Sequence, residues 1–179
     1  MRHVRRLTVR GGLLAVAAVL LSAQTTPPAA PGAPQRTTAT YEDWTVRCET
    51  QGTPAVKSCE MLQAVNIQGQ SNPITQIAIG KATKTEPLKL VLLVPINVWL
   101  PTGVKLMIDD KDPGLAAAYK RCVPAACFAD VELKDDVVKK MRARTENGRL
   151  EFKDATQKDV AMPVSFKGFG QAFDALAKE

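Results

Sequence analysis

The first sustained alternation of apolar and polar positions begins at Trp44. Trp44, Val46 and Cys48 alternate with Thr45, Arg47 and Glu49. A half-buried strand has this period of two, because successive side chains leave opposite faces. The domain is therefore expected to start at Tyr41. A second strand is predicted over 57–67, with Cys59, Met61, Gln63 and Val65 on one side and Leu62, Ala64 and Ile67 nearer the other. Residues 69–72 read as a turn, and 74–82 as a strand with Ile77 and Ile79 on one face. Residues 88–94 (LKLVLLV) are almost continuously apolar, which predicts a strand covered on both faces. Pro95 interrupts it.

Further strand pieces follow at 98–100 and 104–108 around a Pro101-Thr102-Gly103 turn. Residues 115–122 and 127–133 flank a short loop as the arms of a hairpin, and 149–154 with 160–166 form a last pair. Two stretches carry helical patterns. Residues 135–144 begin with Asp135 and Asp136 and end with Lys139, Lys140, Arg142 and Arg144, the polarity that suits the helix dipole. Their charge reads as a solvated face in preference to a basic binding helix. Residues 169–178 place Phe169, Ala172, Phe173 and Leu176 at i, i+3, i+4 and i+7, a stripe that packs on a sheet. The expected fold class is mostly β: an antiparallel β-sandwich or partly open barrel with one or two short helices. No internal repeat is visible.

The segment before this domain has a different character. Arg2, Arg5, Arg6 and Arg10 precede a short uncharged run at 13–21 (LLAVAAVLL), and Ser22-Ala23 follows. This is the layout of a secretory signal peptide over 1–23. The run falls short of the roughly 20 residues of a membrane span. An uncleaved anchor and a cut nearer Ala29 or Ala30 are the alternatives. Arg5-Arg6 lacks the rest of a twin-arginine motif. Residues 24–40, with Pro27, Pro28, Pro31 and Pro34, read as an extended linker, which leaves 41–179 as the domain.

Removing the signal changes the electrostatics. The whole chain carries a formal charge of +6, but four of its 24 basic residues precede residue 23, leaving 20 basic against 18 acidic side chains, or +2. That balance gives no reason to expect nucleic acid or an anionic membrane as partner. The signal also contains the single histidine, His3. The exported chain thus lacks the usual neutral-pH base and commonest metal ligand.

Cys48, Cys59, Cys122 and Cys127 are an even set in an exported domain, which argues for disulfides. Three pairings are possible. Cys48–Cys59 with Cys122–Cys127 is favoured, since each pair lies at neighbouring ends of strands joined by a short loop. Redox catalysis is disfavoured because the gaps are ten and four residues, against two in thioredoxin-like motifs. Zinc is disfavoured because only one gap has ligand spacing. Asp109, Asp110 and Asp112 could attract calcium. Counted from Asp110, however, Gly114 stands at a ligand position and Arg121 at the twelfth, so an acidic turn is the better reading. Ser58, Ser71 and Ser165 lie in no nucleophile motif. No catalytic residue, metal site or cofactor is assigned, and the binding residues stay unassigned.

Several of these segments, in order, resemble one family. They are Asp43-Trp-Thr-Val-Arg-Cys48; Cys59 before an apolar strand; Val94-Pro95; Leu100-Pro-Thr-Gly-Val104; Ile108-Asp109; Cys122 and Cys127; and Pro163-Val-Ser-Phe-Lys-Gly-Phe169. The set resembles the invasion-associated locus B family of exported bacterial proteins over roughly 41–176. The resemblance implies an envelope or secreted protein and carries over no catalytic residues. Trp44, Cys48, Cys59, Cys122, Cys127 and Gly168 read as core, staple and turn. The expectation is a non-catalytic periplasmic or cell-envelope protein that binds an envelope protein or a host surface and has no membrane span in the mature chain. A secreted or surface-exposed factor for host-cell attachment is the alternative, and a thiol-disulfide enzyme ranks below both.

Overall fold

In the computed structural model, residues 35–66, 73–83 and 85–179 are described. The predicted signal, residues 24–34 of the linker and the 69–72 turn lie outside the described residues. The strands are β1 (Gln35–Tyr41), β2 (Trp44–Gln51), β3 (Val56–Val65), β4 (Thr75–Gly80), β5 (Lys89–Val94), β6 (Val104–Met107), β7 (Leu115–Val123), β8 (Ala126–Glu132), β9 (Gly148–Lys153) and β10 (Asp159–Val164). The helices are α1 (Asp135–Arg142) and α2 (Phe169–Leu176). The strands form one antiparallel sheet in the order β1-β2-β3-β4-β5-β8-β7-β6-β9-β10. Its edges, β1 and β10, do not pair with each other.

The sheet is rolled into an open barrel, with one face wrapped around a single core. Trp44, Met61, Ile79, Leu90, Leu92, Leu106, Leu150 and Phe169 are fully buried there. The predicted alternation holds in β2, where Trp44, Val46 and Cys48 point inward. Two tethers draw the far end of the sheet back to its beginning. The Trp44 indole Nε1 donates to the Ser165 carbonyl at 2.9 Å. The Gln63 amide accepts from Ser165 N–H at 2.9 Å and donates to its carbonyl at 3.0 Å. Ser165 follows β10, so these bonds narrow the opening that the unpaired edges leave.

Helix α2 plugs the core where the predicted stripe said it would. The Phe169 ring meets Trp44 edge-on at 5.2 Å between centroids, an arrangement favoured by the ring quadrupoles. Gly168 makes the tight entry. Its φ is +78°, and a Cβ there would stand 2.1 Å from the Tyr41 carbonyl oxygen. Only glycine suits a left-handed backbone with no room for a side chain.

Three expectations need correction. Residues 35–40, read as linker, are strand β1. Six of its seven residues are exposed, so no hydrophobic pattern announces it. The ladder to β2 and the Arg36–Glu49 ion pair hold it instead. Strand β5 is covered on one face only: Leu90, Leu92 and Val94 are buried, whereas Lys89, Val91 and Leu93 are half-exposed. The open sheet lays no second layer over that face. Residues 98–100 are not a strand. Val98 forms a lone bridge to Asp154, and Leu100–Thr102 is a turn of 3-10 helix, because Pro101 has no N–H to give to a ladder.

Candidate functional site

The four sulfurs are placed first by strand register. Cys48 lies opposite Cys59 in the β2–β3 ladder, and Cys122 opposite Cys127 in β7–β8. Both pairs are joined as disulfides, with Cα atoms 4.1 and 4.0 Å apart. No free cysteine remains. The Glu179 carboxylate lies within 4.8 Å of the Cys48 and Cys59 sulfurs. Sulfurs bonded to each other are not thiolate ligands, so this cluster offers a metal one carboxylate and little else.

Cys59 also lines an open groove of about 820 Å³. The groove runs between the β4–β5 connection, the approach to α1 and the last turn of α2. Leu88, Leu133, Phe173 and Leu176 give it an apolar floor. Charged side chains rim it. Lys57 pairs with Glu179, whereas Lys81 and Lys134 are exposed and make no ion pair among the described residues. A concave apolar surface with a few polar groups at its margin is the usual form of a binding site. The local sequence could not announce it, since its walls come from five separate segments.

A second surface feature lies at the other end of the strands. The connection from β5 to β6, residues 95–103, passes β8 and β7 before rejoining the sheet. It is pinned to the end of β9 and closed by a bond of its own. Trp99 N–H donates to the Lys153 carbonyl at 2.9 Å, Ala155 N–H to Asn97 at 2.8 Å, and Gly103 N–H to Leu100 at 3.1 Å. Val98 packs against the core, while Ile96, Trp99 and Leu100 are 43%, 37% and 52% exposed. Val123, at the tip of the β7–β8 hairpin on the same end, is 39% exposed.

The acidic turn uses its carboxylates internally. Asp109 accepts from Lys111 and Asp112 N–H, each at 2.8 Å. Asp112 accepts from Gly114 N–H and pairs with Lys140 at 2.6 Å, and the lysine's hydrogen bond holds its carboxyl below the usual range. Asp110 pairs with Arg149. At the end of α1, Arg142 pairs with Asp174 of α2, and Arg144, just beyond the helix, with Glu146. Ser58 sits at the groove and Ser165 serves the tether to Trp44 and Gln63, while Ser71 lies outside the described residues. No helix among the described residues is long and apolar enough to cross a membrane.

An open antiparallel barrel, two cross-strand disulfides and a plugging C-terminal helix define a small stapled β protein. The family described as Invasion associated locus B (IalB) protein matches residues 44–177, and the chain belongs to that family. Two invasion protein B homologs, from Brucella abortus strain 2308 and from Brucella abortus biovar 1 strain 9-941, are each 29% identical over 149 residues, covering 82% of both chains. The crystal structure of invasion associated protein B from Bartonella henselae superimposes with a TM-score of 0.67 at 21% identity, covering 79% of this chain and 95% of that one. At that identity the likeness speaks for the fold.

Proposed function

We propose that the protein is a non-catalytic component of the bacterial cell envelope, exported to the periplasm, that acts by binding a protein partner. The observation that carries this reading is the groove beside Cys59, with its apolar floor of Leu88, Leu133, Phe173 and Leu176 and its exposed lysines Lys81 and Lys134. It fits a partner segment that buries an apolar side chain on the floor and brings a carboxylate to the rim. The N-terminal arginines with their apolar run support export. Two disulfides suit an oxidising compartment. The test is a photo-crosslinking residue at position 82 or 177, both exposed on the groove wall, installed in living cells. One reproducible protein adduct, weakened roughly tenfold by Lys81→Glu with Lys134→Glu, is the expected result. Adducts that are absent, or that ignore those substitutions, reject the groove as the docking site.

The names of the Brucella relatives, invasion protein B homologs, favour a second reading, a surface-exposed or secreted factor for host-cell attachment. Protease treatment of intact cells separates the two. The periplasmic reading predicts protection until the outer membrane is opened.

A further inference from the structure

The exposed apolar end of the sheet is independent of the groove and has its own chemistry. Residues 95–104 (PINVWLPTGV) contain no charged side chain, and neither do 122–128 (CVPAACF) at the hairpin tip. Both segments lie at one end of the strands and together expose Ile96, Trp99, Leu100 and Val123. Isolated apolar side chains on a surface need no explanation; three of them on one charge-free loop do. The loop is also stiff, held by backbone bonds to Lys153 and Ala155 and by the Thr102 hydroxyl, which donates to the Trp99 carbonyl at 3.1 Å.

The surroundings of the loop show what it faces. Arg121, Lys153 and Lys158 flank it, against the carboxylates of Asp154 and Asp159. One of those acids meets a cation, and the other is held by its own turn and keeps its charge. Asp159 is paired with Lys153 at 2.6 Å, and Asp154 accepts from the Thr156 hydroxyl and from Thr156 and Lys158 N–H. The Arg121 guanidinium stacks on the Phe128 ring, 5.0 Å from its centroid, and has no carboxylate partner among the described residues. The end thus presents an uncharged, tryptophan-bearing tip beside two cations, Arg121 and Lys158, that meet no carboxylate among the described residues. Tryptophan favours the boundary between acyl chain and headgroup, and neighbouring cations favour anionic headgroups. We infer that this end seats on a membrane surface rich in anionic lipid, with Trp99 and Leu100 entering the interface and Arg121 and Lys158 meeting the phosphates. The contact is peripheral and lies on a different face from the groove.

The test uses the exported protein as recovered from cells, mixed at low salt with vesicles of phosphatidylglycerol and phosphatidylethanolamine or of phosphatidylcholine alone. Binding to the first is expected to exceed binding to the second. Brominated acyl chains should quench Trp99, while the buried Trp44 stays bright; Trp99→Phe identifies the signal. Leu100→Asp, at an exposed position that leaves the core intact, should weaken partition about tenfold or more. Absence of binding to the anionic vesicles overturns the inference. So does binding in which Trp99 is unquenched, since another part of the chain then makes the contact. A photo-crosslinker at position 100 that captures a protein in place of lipid assigns the tip to a protein and equally overturns it.

Discussion

Trp44 and Ser165 are 121 residues apart in sequence, yet the indole N–H of one donates to the backbone carbonyl of the other at 2.9 Å. The bond ties the second strand of the sheet to the residue just beyond the last, and Gln63 holds the same peptide from a second side. Trp44→Phe removes the donor and part of the ring volume from a fully buried position. It should cost roughly 2–4 kcal/mol, read as a lower urea midpoint with an unchanged m-value. A drop within a few tenths of a kcal/mol would show that the tether contributes nothing.

The two disulfides should differ in worth. Chain entropy assigns roughly 3 kcal/mol to a staple across eleven residues and roughly 2 kcal/mol to one across five, the separations of Cys48–Cys59 and Cys122–Cys127. Cys48 is also buried. Replacing Cys48 and Cys59 together by alanine should therefore lower the melting temperature more than replacing Cys122 and Cys127. The opposite order would place the stress of folding in the β7–β8 hairpin.

Gly168→Ala forces a Cβ to within 2.1 Å of the Tyr41 carbonyl on a backbone with φ +78°. The chain must move α2 or the β1–β2 turn to admit it. A loss of roughly 2–4 kcal/mol follows, together with changed near-ultraviolet signals as Phe169 shifts against Trp44. Denaturation with dichroism checks both.

The Tyr119 hydroxyl is buried without a hydrogen-bond partner among the described residues, and burial pushes its pKa up to about 12 from 10. A group that holds its proton more tightly when folded supports stability below its unfolded pKa. Here that support is full below about pH 10 and fades as pH rises toward 12. Tyr119→Phe removes an orphaned polar atom, so it should leave stability at pH 7 equal or higher and flatten the alkaline decline. A decline as steep as in the parent would put its origin elsewhere, among the lysines.

Where the sequence carried period and spacing, the architecture could be read directly. The Trp44, Val46, Cys48 alternation, the i, i+3, i+4, i+7 stripe of α2 and the close cysteine pairs are local signals; the first two each map onto one element, and each cysteine pair onto two neighbouring strands. Strand β1 was illegible because its threonines face solvent on both sides, so that only backbone bonding to β2 defines it. The apolar run of β5 misled on coverage because residue type does not say how many layers a sheet has. The groove and the apolar end are assembled from segments scattered between residues 57 and 179. No stretch of chain contains either, and both emerge only once the strand order is known.

The two rims of the open barrel are unlike. β1 offers seven exposed or half-exposed residues along its margin, while β10 carries Pro163, which has no N–H to offer a newcomer. A strand added at β10 would therefore meet a gap in its row of donors that β1, which has no proline, does not have.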